Sequence, residues 1–217
     1  MRYPDEGFDE SSLLEEIKPL YEGKDPAHDV SHALRVYRIA RAIGEEEGAD
    51  LQVVIFAALL HDAGSGPKLR NRSGESEKRR LATVEEFLTK MHLPEDVVVR
   101  VLRAVEVHSF SKGIAPATLE EKVLQDADRL DAIGAVGIAR VFLTGGALGR
   151  PFYNPADPFC KKREPDDGLW NLDHFFKKLL LLEAGMQTET GRRLARRRGA
   201  VLRRYLSDLE EEISKGI

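Results

Sequence analysis

Apolar residues recur three or four positions apart through most of this chain, and four of the stripes they form lead to a histidine or an aspartate. One stripe runs through Val36, Ala40 and Ile43. The position four residues before Val36 is His32. The other three stripes lead to His61, which Asp62 follows, to Asp128 and to His108. Because a helix that buries its apolar stripe buries these groups too, the chain is restricted to helical folds that give them polar partners.

Signals for the start of a helix predict an all-α fold, and strand signals are nearly absent. The candidate caps are Asp29, Asp50 and the capping boxes Ser12–Glu15 and Thr118–Glu121. We expect seven to nine helices, with glycine- and proline-rich loops at 64–76 and 145–168. The polar positions lie on both sides of the first loop, so we expect one domain over residues 1–217 with its core at about 24–212.

The composition excludes several classes of protein. The 37 acidic residues outnumber the 33 basic ones and give a net charge of −4, so we expect no nucleic-acid partner. The arginine-rich stretch at 192–204 carries an apolar stripe and is predicted to be a packed amphipathic helix.

Cys160 is the only cysteine, which excludes an intrachain disulfide and a thiolate-rich zinc site. The longest apolar run, VVIFAALL, is too short to cross a membrane, and the chain begins without the apolar segment of a secretory signal. We therefore expect a cytoplasmic protein, and its oligomeric state stays open.

The four polar positions together indicate a metal site. A single histidine on an apolar helix face is more often a hydrogen-bonded core residue, and this alternative stays open for His108. Several imidazoles and carboxylates are expensive to bury separately, whereas one divalent cation gives all of them a partner. Without His108, the two remaining imidazoles and the two carboxylates favour an octahedral Mn, Fe, Co, Ni or Mg site with positions left for water. Such a site suits the hydrolysis of a phosphate ester or anhydride.

The segments that carry these residues resemble a known family. HALRV at 32–36, LLHDAG at 59–64 and DADRLDAIGAVGIAR at 126–140 are similar to the His, His-Asp and Asp signature of the HD-domain metal-dependent phosphohydrolases. Three further segments resemble the small stand-alone bacterial branch, which includes manganese-dependent nucleotide pyrophosphohydrolases: EVHSFSKGIAP at 106–116, RPFYNPADPF at 150–159 and LDHFFKKLLLL at 172–182.

This resemblance implies an HD-domain helical bundle with a central metal site. The implied metal ligands are His32, His61, Asp62 and Asp128, and the implied cofactor is a divalent ion, with Mn first and Mg, Fe, Co or Ni as alternatives. The implied partner is a nucleotide or another small phosphorylated substrate. The leading reaction is hydrolysis of a nucleoside or deoxynucleoside triphosphate to monophosphate and pyrophosphate. A phosphomonoesterase, a phosphodiesterase and a metal-dependent interaction domain without activity stay open as alternatives.

Asp62 and Asp131 are the candidate catalytic carboxylates. Asp131 follows Asp128 by three residues on nearly the same helix face, where its carboxylate can orient a ligand histidine or accept a proton. The alternative is an ion pair with Arg35 or Arg129. Asp126 lies off that face and is expected to be solvated.

Five residues are candidates for binding the substrate. Lys68 and Arg72 lie in the loop after the His-Asp pair, where their charges can reach a polyphosphate, although simple exposure is the alternative. His108 is expected to contact phosphate or a second metal, and Lys112 follows it closely in the chain. Lys178 shares a predicted helix face with His174 and is assigned to the pocket wall.

Overall fold

The computed structural model describes residues 10–23, 28–64, 74–109 and 113–215, and it shows helices joined by loops with no strand in these ranges. The α-helices, in chain order, are α1 (Glu10–Ile17), α2 (Val30–Glu47), α3 (Leu51–Leu60), α4 (Gly74–Lys90), α5 (Glu95–Val107), α6 (Leu119–Asp131), α7 (Gly134–Ala147), α8 (Leu180–Leu182) and α9 (Glu189–Lys215). Short 3-10 turns cover Lys18–Tyr21 and Glu183–Gly185, and a π-helical turn covers Phe175–Leu179. The all-α prediction is confirmed.

The predicted caps fix where several helices begin. Asp29 accepts a hydrogen bond from the main-chain amide of His32 at 3.1 Å and starts α2. Asp50 accepts hydrogen bonds from two amides in the first turn of α3. Thr118 accepts a hydrogen bond from the amide of Glu121 at 3.3 Å at the start of α6. These side chains satisfy amides that have no acceptor within their own helix, and they fix the register of the helices that carry the polar positions.

The helices fall into two compact units, Met1–Asp128 and Arg129–Ile217. In the first unit, α3 packs chiefly on α2 and α5. Every side chain from Val53 to Leu60 is buried, so α3 is apolar on all sides, as a helix enclosed by its neighbours is expected to be. The next residue, His61, is buried as well. The expectation of a single domain stays a prediction.

In the second unit, α7 packs along α9. Ala195, Leu202 and Leu206 of α9 are buried, and arginines such as Arg196 and Arg197 are exposed. This confirms the predicted amphipathic helix, which extends over 27 residues.

The segment 148–172 of the second unit contains no regular helix. Polar contacts hold it in place. The carboxylate of Asp157 accepts hydrogen bonds from the main-chain amides four and five residues later, at 3.0 and 2.8 Å. Both terminal nitrogens of Arg163 donate to the buried carboxylate of Asp173, and the Nη2–Oδ1 distance is 2.7 Å. This two-pronged ion pair anchors the segment just before the next helical turn begins.

Among the described residues no single helix combines the length and the apolar composition needed to cross a membrane, although α6 and α7 taken together pass that test, as buried core helices also do.

Gly145 and Gly146 are adjacent in α7 but have opposite surroundings. A Cβ atom at Gly145 would lie 1.6 Å from Oδ1 of the buried Asn171, whereas a Cβ atom at Gly146 would meet nothing within 4 Å. We expect Gly145→Ala to lower the free energy of unfolding by about 1–3 kcal/mol, because Asn171 must move. We expect Gly146→Ala to be neutral or stabilising by up to about 1 kcal/mol, because alanine favours the helix. Urea unfolding of both variants measures the difference, and equal effects would contradict the packing.

Candidate metal centre

Four helix ends bring histidine and aspartate side chains together in the first unit. His32 lies in the first turn of α2. His61 and Asp62 follow the last residue of α3, and His108 directly follows α5. Asp128 lies in the last turn of α6. Residues distant in sequence therefore form one cluster.

The closest pair in this cluster is His32 and His61, whose Nε2 atoms are 3.1 Å apart. Oδ1 of Asp128 is 3.5 Å from Nε2 of His32 and 3.9 Å from Nε2 of His61. These three residues offer ligand atoms that all lie within 4.8 Å of one another. Oδ2 of Asp62 is 3.8 Å from both nitrogens. Ligand atoms at about 2.1 Å from an octahedral ion lie about 3 Å apart when adjacent and about 4 Å apart when opposite. The spacing of the cluster therefore fits a single divalent ion.

Main-chain hydrogen bonds determine which imidazole nitrogen faces the cluster. Nδ1 of His61 and Nδ1 of His108 lie 2.7 and 2.6 Å from the carbonyl oxygen three residues earlier, so each Nδ1 carries a hydrogen and donates it. Nε2 of each neutral ring is then unprotonated and able to bind a cation. Nε2 of His61 faces His32, and Nε2 of His108 lies 3.9 Å from Oδ1 of Asp62.

Burial keeps the imidazoles of His61 and His108 uncharged. The side chains of His32, His61 and Asp62 are fully buried, and that of Asp128 is 24% exposed. Loss of solvation lowers the pKa of His61 to about 3 and that of His108 to about 4, although the nearby carboxylates oppose the change. A neutral imidazole is the form that coordinates a metal. The donor set therefore fits a divalent cation in chemistry as well as in spacing.

A glycine directly after the His-Asp pair brings α4 close to the end of α3. Gly64 has a φ of +65°, and a Cβ atom there would lie 2.9 Å from the side chain of Thr83 in α4. Its amide donates to the carbonyl of Leu20 at 3.1 Å. Only glycine combines this left-handed backbone with so close an approach.

Two buried polar residues that the sequence analysis did not single out bind carbonyl groups near the cluster. The hydroxyl of Tyr21 donates to the carbonyl of Leu59 in α3 at 2.7 Å, and burial raises the pKa of this tyrosine well above its usual value. Nε2 of Gln125 donates to the carbonyl groups of Val107 and Ile114 at 2.9 and 3.1 Å. These bonds hold the last turn of α3 and the segment that follows α5.

Arg80 is a third buried polar residue that the sequence analysis missed. Its guanidinium donates to the carbonyl of His61 and, at 3.1 Å, to that of Val105. Arg80 precedes the buried Val84 and Leu88 by four and eight residues. This is the same signal that singled out the histidines, a polar residue on an apolar helical stripe, and it was available in the sequence.

Two aspartates of α6 have surroundings that differ from those expected. Asp126 is fully buried, so the prediction that it is solvated is wrong. Residues 123–127 are all buried, because α6 is covered on more than one side and an argument from a single apolar face does not apply. Asp131 is also buried and accepts a hydrogen bond at 2.7 Å from Arg140, a partner that the sequence analysis did not consider. Its catalytic role stays a prediction.

Lys178 lies in the π-helical turn of the second unit. Its neighbour His174 has Nδ1 2.8 Å from Oδ2 of Asp167. Burial lowers the pKa of His174, and the positive charge of Lys178 adds to this effect. The other basic candidates, Lys68, Arg72 and Lys112, lie outside the described residues. The substrate-binding roles of these residues and of His108 stay predictions.

Comparisons with known proteins agree with the resemblance noted in the sequence. Residues 29–133 match the HD domain family. The uncharacterized protein YpgQ of Bacillus subtilis strain 168 is 33% identical over 201 residues, which cover 91% of this chain and 90% of that protein. The crystal structure of Bacillus subtilis YpgQ in complex with ADP has a TM-score of 0.72 at 35% identity and covers 93% of this chain and 98% of that chain. An HD-superfamily hydrolase from Bacillus thuringiensis has a TM-score of 0.71 at 31% identity, with 93% and 95% of the two chains covered.

The lowered pKa of His108 predicts that the metal-free protein loses stability in mild acid. Below the ordinary histidine pKa of about 6.5 the unfolded chain takes up a proton at this residue, whereas the folded chain does so only near the folded value of about 4. The contribution to stability is therefore complete above about pH 6.5 and is lost as the pH falls toward about 4.

When the pH is lowered from about 7.5 to about 5, the free energy of unfolding falls in the unaltered protein. We expect this fall to be smaller by roughly 2 kcal/mol in His108→Gln. Urea unfolding of chelator-treated protein at both pH values gives the comparison. His92→Gln, which replaces an exposed histidine, is the control and is expected to keep the full dependence. The same pH dependence for His108→Gln and the unaltered protein would contradict the burial argument.

Proposed function

Because this chain belongs to the HD-domain phosphohydrolase family, we propose that it hydrolyses nucleoside or deoxynucleoside triphosphates to monophosphate and pyrophosphate with a divalent metal ion. The observation that carries the proposal is the buried cluster of His32, His61, Asp62 and Asp128. Its imidazole nitrogens lie 3.1–3.9 Å from each other and from the carboxylate oxygens. A fold alone does not specify a reaction, so the argument depends on this site.

These four residues are the proposed metal ligands. Mn is the ion proposed first, and Mg, Fe, Co and Ni suit the same mixture of imidazole and carboxylate donors. A divalent ion bound there would activate water and neutralise the oxygens of a phosphoryl group. The chain itself supplies donors that are already desolvated and held in place by the helix ends.

The tautomer of His108 restricts what this residue can do. Because its Nδ1 hydrogen is donated to the main chain, the neutral ring presents only an acceptor at Nε2. An acceptor is suited to orient a water or a hydroxyl group, or to bind a second cation, and it repels a phosphoryl oxygen. We therefore propose that His108 orients a water or a hydroxyl group or binds a second cation, and that it does not contact phosphate directly.

The remaining candidates complete the proposed mechanism. Asp131 is proposed to orient a ligand or accept a proton. Lys68, Arg72, Lys112 and Lys178 are proposed to bind the phosphate groups, because ammonium and guanidinium groups form strong charge-assisted hydrogen bonds with phosphate oxygens.

The choice of a nucleotide as substrate is supported by the relative from Bacillus subtilis, whose crystal structure is a complex with ADP. A phosphomonoesterase and a phosphodiesterase need the same kind of metal centre, so the identity of the product separates the alternatives.

The proposed reaction is tested by incubating the Mn-loaded protein with nucleoside triphosphates, nucleoside monophosphates and cyclic or linear diesters. We expect monophosphate and pyrophosphate from triphosphates, and no turnover after chelation. Release of inorganic phosphate from monophosphates would replace the proposal with a phosphomonoesterase, and cleavage of diesters alone would replace it with a phosphodiesterase. An inert metal-loaded protein would favour an interaction domain.

The proposed ligand set predicts that Asp62→Ala abolishes tight Mn binding and hydrolysis and leaves a folded helical protein, because a ligand is lost while the helices still pack. Calorimetric titration with Mn and circular dichroism measure the two properties. Asp96→Ala, which removes an exposed carboxylate from the same unit, is the matched control and is expected to bind Mn as the unaltered protein does. Unchanged Mn affinity in Asp62→Ala would remove Asp62 from the ligand set.

A further inference from the structure

The side chain of Arg80 is the largest of the fully buried side chains among the described residues, and it carries a charge. It is 1% exposed and lies in α4, where it forms an ion pair with Glu77, one turn earlier. A buried guanidinium is expensive unless its donors are used. The position of its partners therefore indicates what this charge does.

The two other partners of Arg80 are carbonyl groups beside the proposed metal site. Nη1 donates to the carbonyl of His61, directly after α3, and Nη2 donates to the carbonyl of Val105, in the last turn of α5. The carbonyl of Val105 also accepts the Nδ1 hydrogen of His108, at 2.6 Å. One guanidinium thus binds the main chain of His61 and the carbonyl that orients the ring of His108.

The chemistry of these helix ends favours arginine at this position. The last carbonyl groups of a helix have no donor within the helix, and they form the negative end of its dipole. Two such ends meet at Arg80, and the planar guanidinium offers several donors in fixed directions. A lysine ammonium carries the same charge on a flexible chain and does not reproduce this fork.

We propose that Arg80 is a positioning residue that fixes the end of α3 relative to the end of α5 and thereby assembles the metal site before metal binds. The inference rests on the proposed function, because it assumes that His61 and Asp62 are ligands. Arg80 acts through the carbonyl groups of His61 and Val105. Its loss frees the pair His61–Asp62 to move relative to His108.

The test uses Arg80→Lys, Arg80→Met and the matched control Arg79→Met, which removes a charge from an exposed position of the same helix. Mn affinity is measured by calorimetric titration, the visible absorption spectrum of the Co-loaded protein reports ligand geometry, and thermal unfolding of the metal-free protein reports stability. We expect roughly 10- to 100-fold weaker Mn binding and an altered Co spectrum in both Arg80 variants, as is typical when a residue that orients a metal ligand is lost. We expect the control to match the unaltered protein.

Arg80→Lys decides the outcome if Arg80→Met does not fold. Reduced stability of Arg80→Lys with unchanged Mn affinity and an unchanged Co spectrum would overturn the inference and leave Arg80 a structural residue. If the unaltered protein bound neither metal, the proposed function would fail first and the inference with it. If the unaltered protein and both variants bound Mn equally, only the inference would fail.

Discussion

Two fully buried imidazole nitrogens, Nε2 of His32 and Nε2 of His61, face each other at 3.1 Å. Nitrogens at this distance are stable either when one donates a hydrogen to the other or when both bind a cation. His61 already donates its Nδ1 hydrogen to the main chain, so its Nε2 is an acceptor in the neutral ring. A cation that binds both nitrogens therefore takes the place of the hydrogen between them, and the neutral ring of His32 then carries its hydrogen on Nδ1.

This contact exists because apolar packing brings helix ends together. From Val53 to its last residue α3 carries only hydrophobic side chains, and its neighbours bury all of them. The polar pair His61 and Asp62 follows immediately where this apolar run ends. The cap at Asp29 sets the start of α2 and places His32 in its first turn. The hydrophobic core thus determines the distances in the site although none of its side chains is a ligand.

The sequence predicted the features that periodicity and capping encode. Polar residues on apolar stripes identified His32, His61 and Asp128 as a cluster, and the caps identified the starts of α2 and α3. The stripe argument failed at Asp126, because it assumes that a helix buries one face and α6 buries consecutive residues. Partners such as that of Asp131 depend on which residues tertiary contacts bring near, and sequence spacing does not contain this information. The predicted loop at 145–168 begins later, after Ala147, because α7 tolerates the two glycines that suggested a turn.

The buried polar side chains that support the cluster share one chemical role. Tyr21, Arg80 and Gln125 all donate hydrogen bonds to main-chain carbonyl groups at the ends of α3 and α5 or just beyond them. These carbonyl groups lack a donor in their own helices, so the side chains satisfy them and fix the helix ends in the same step. Because the carbonyl groups of Leu59 and Val107 belong to the residues near His61 and His108, a change in their partners alters the stability of the helix end and the geometry that a metal ion meets together.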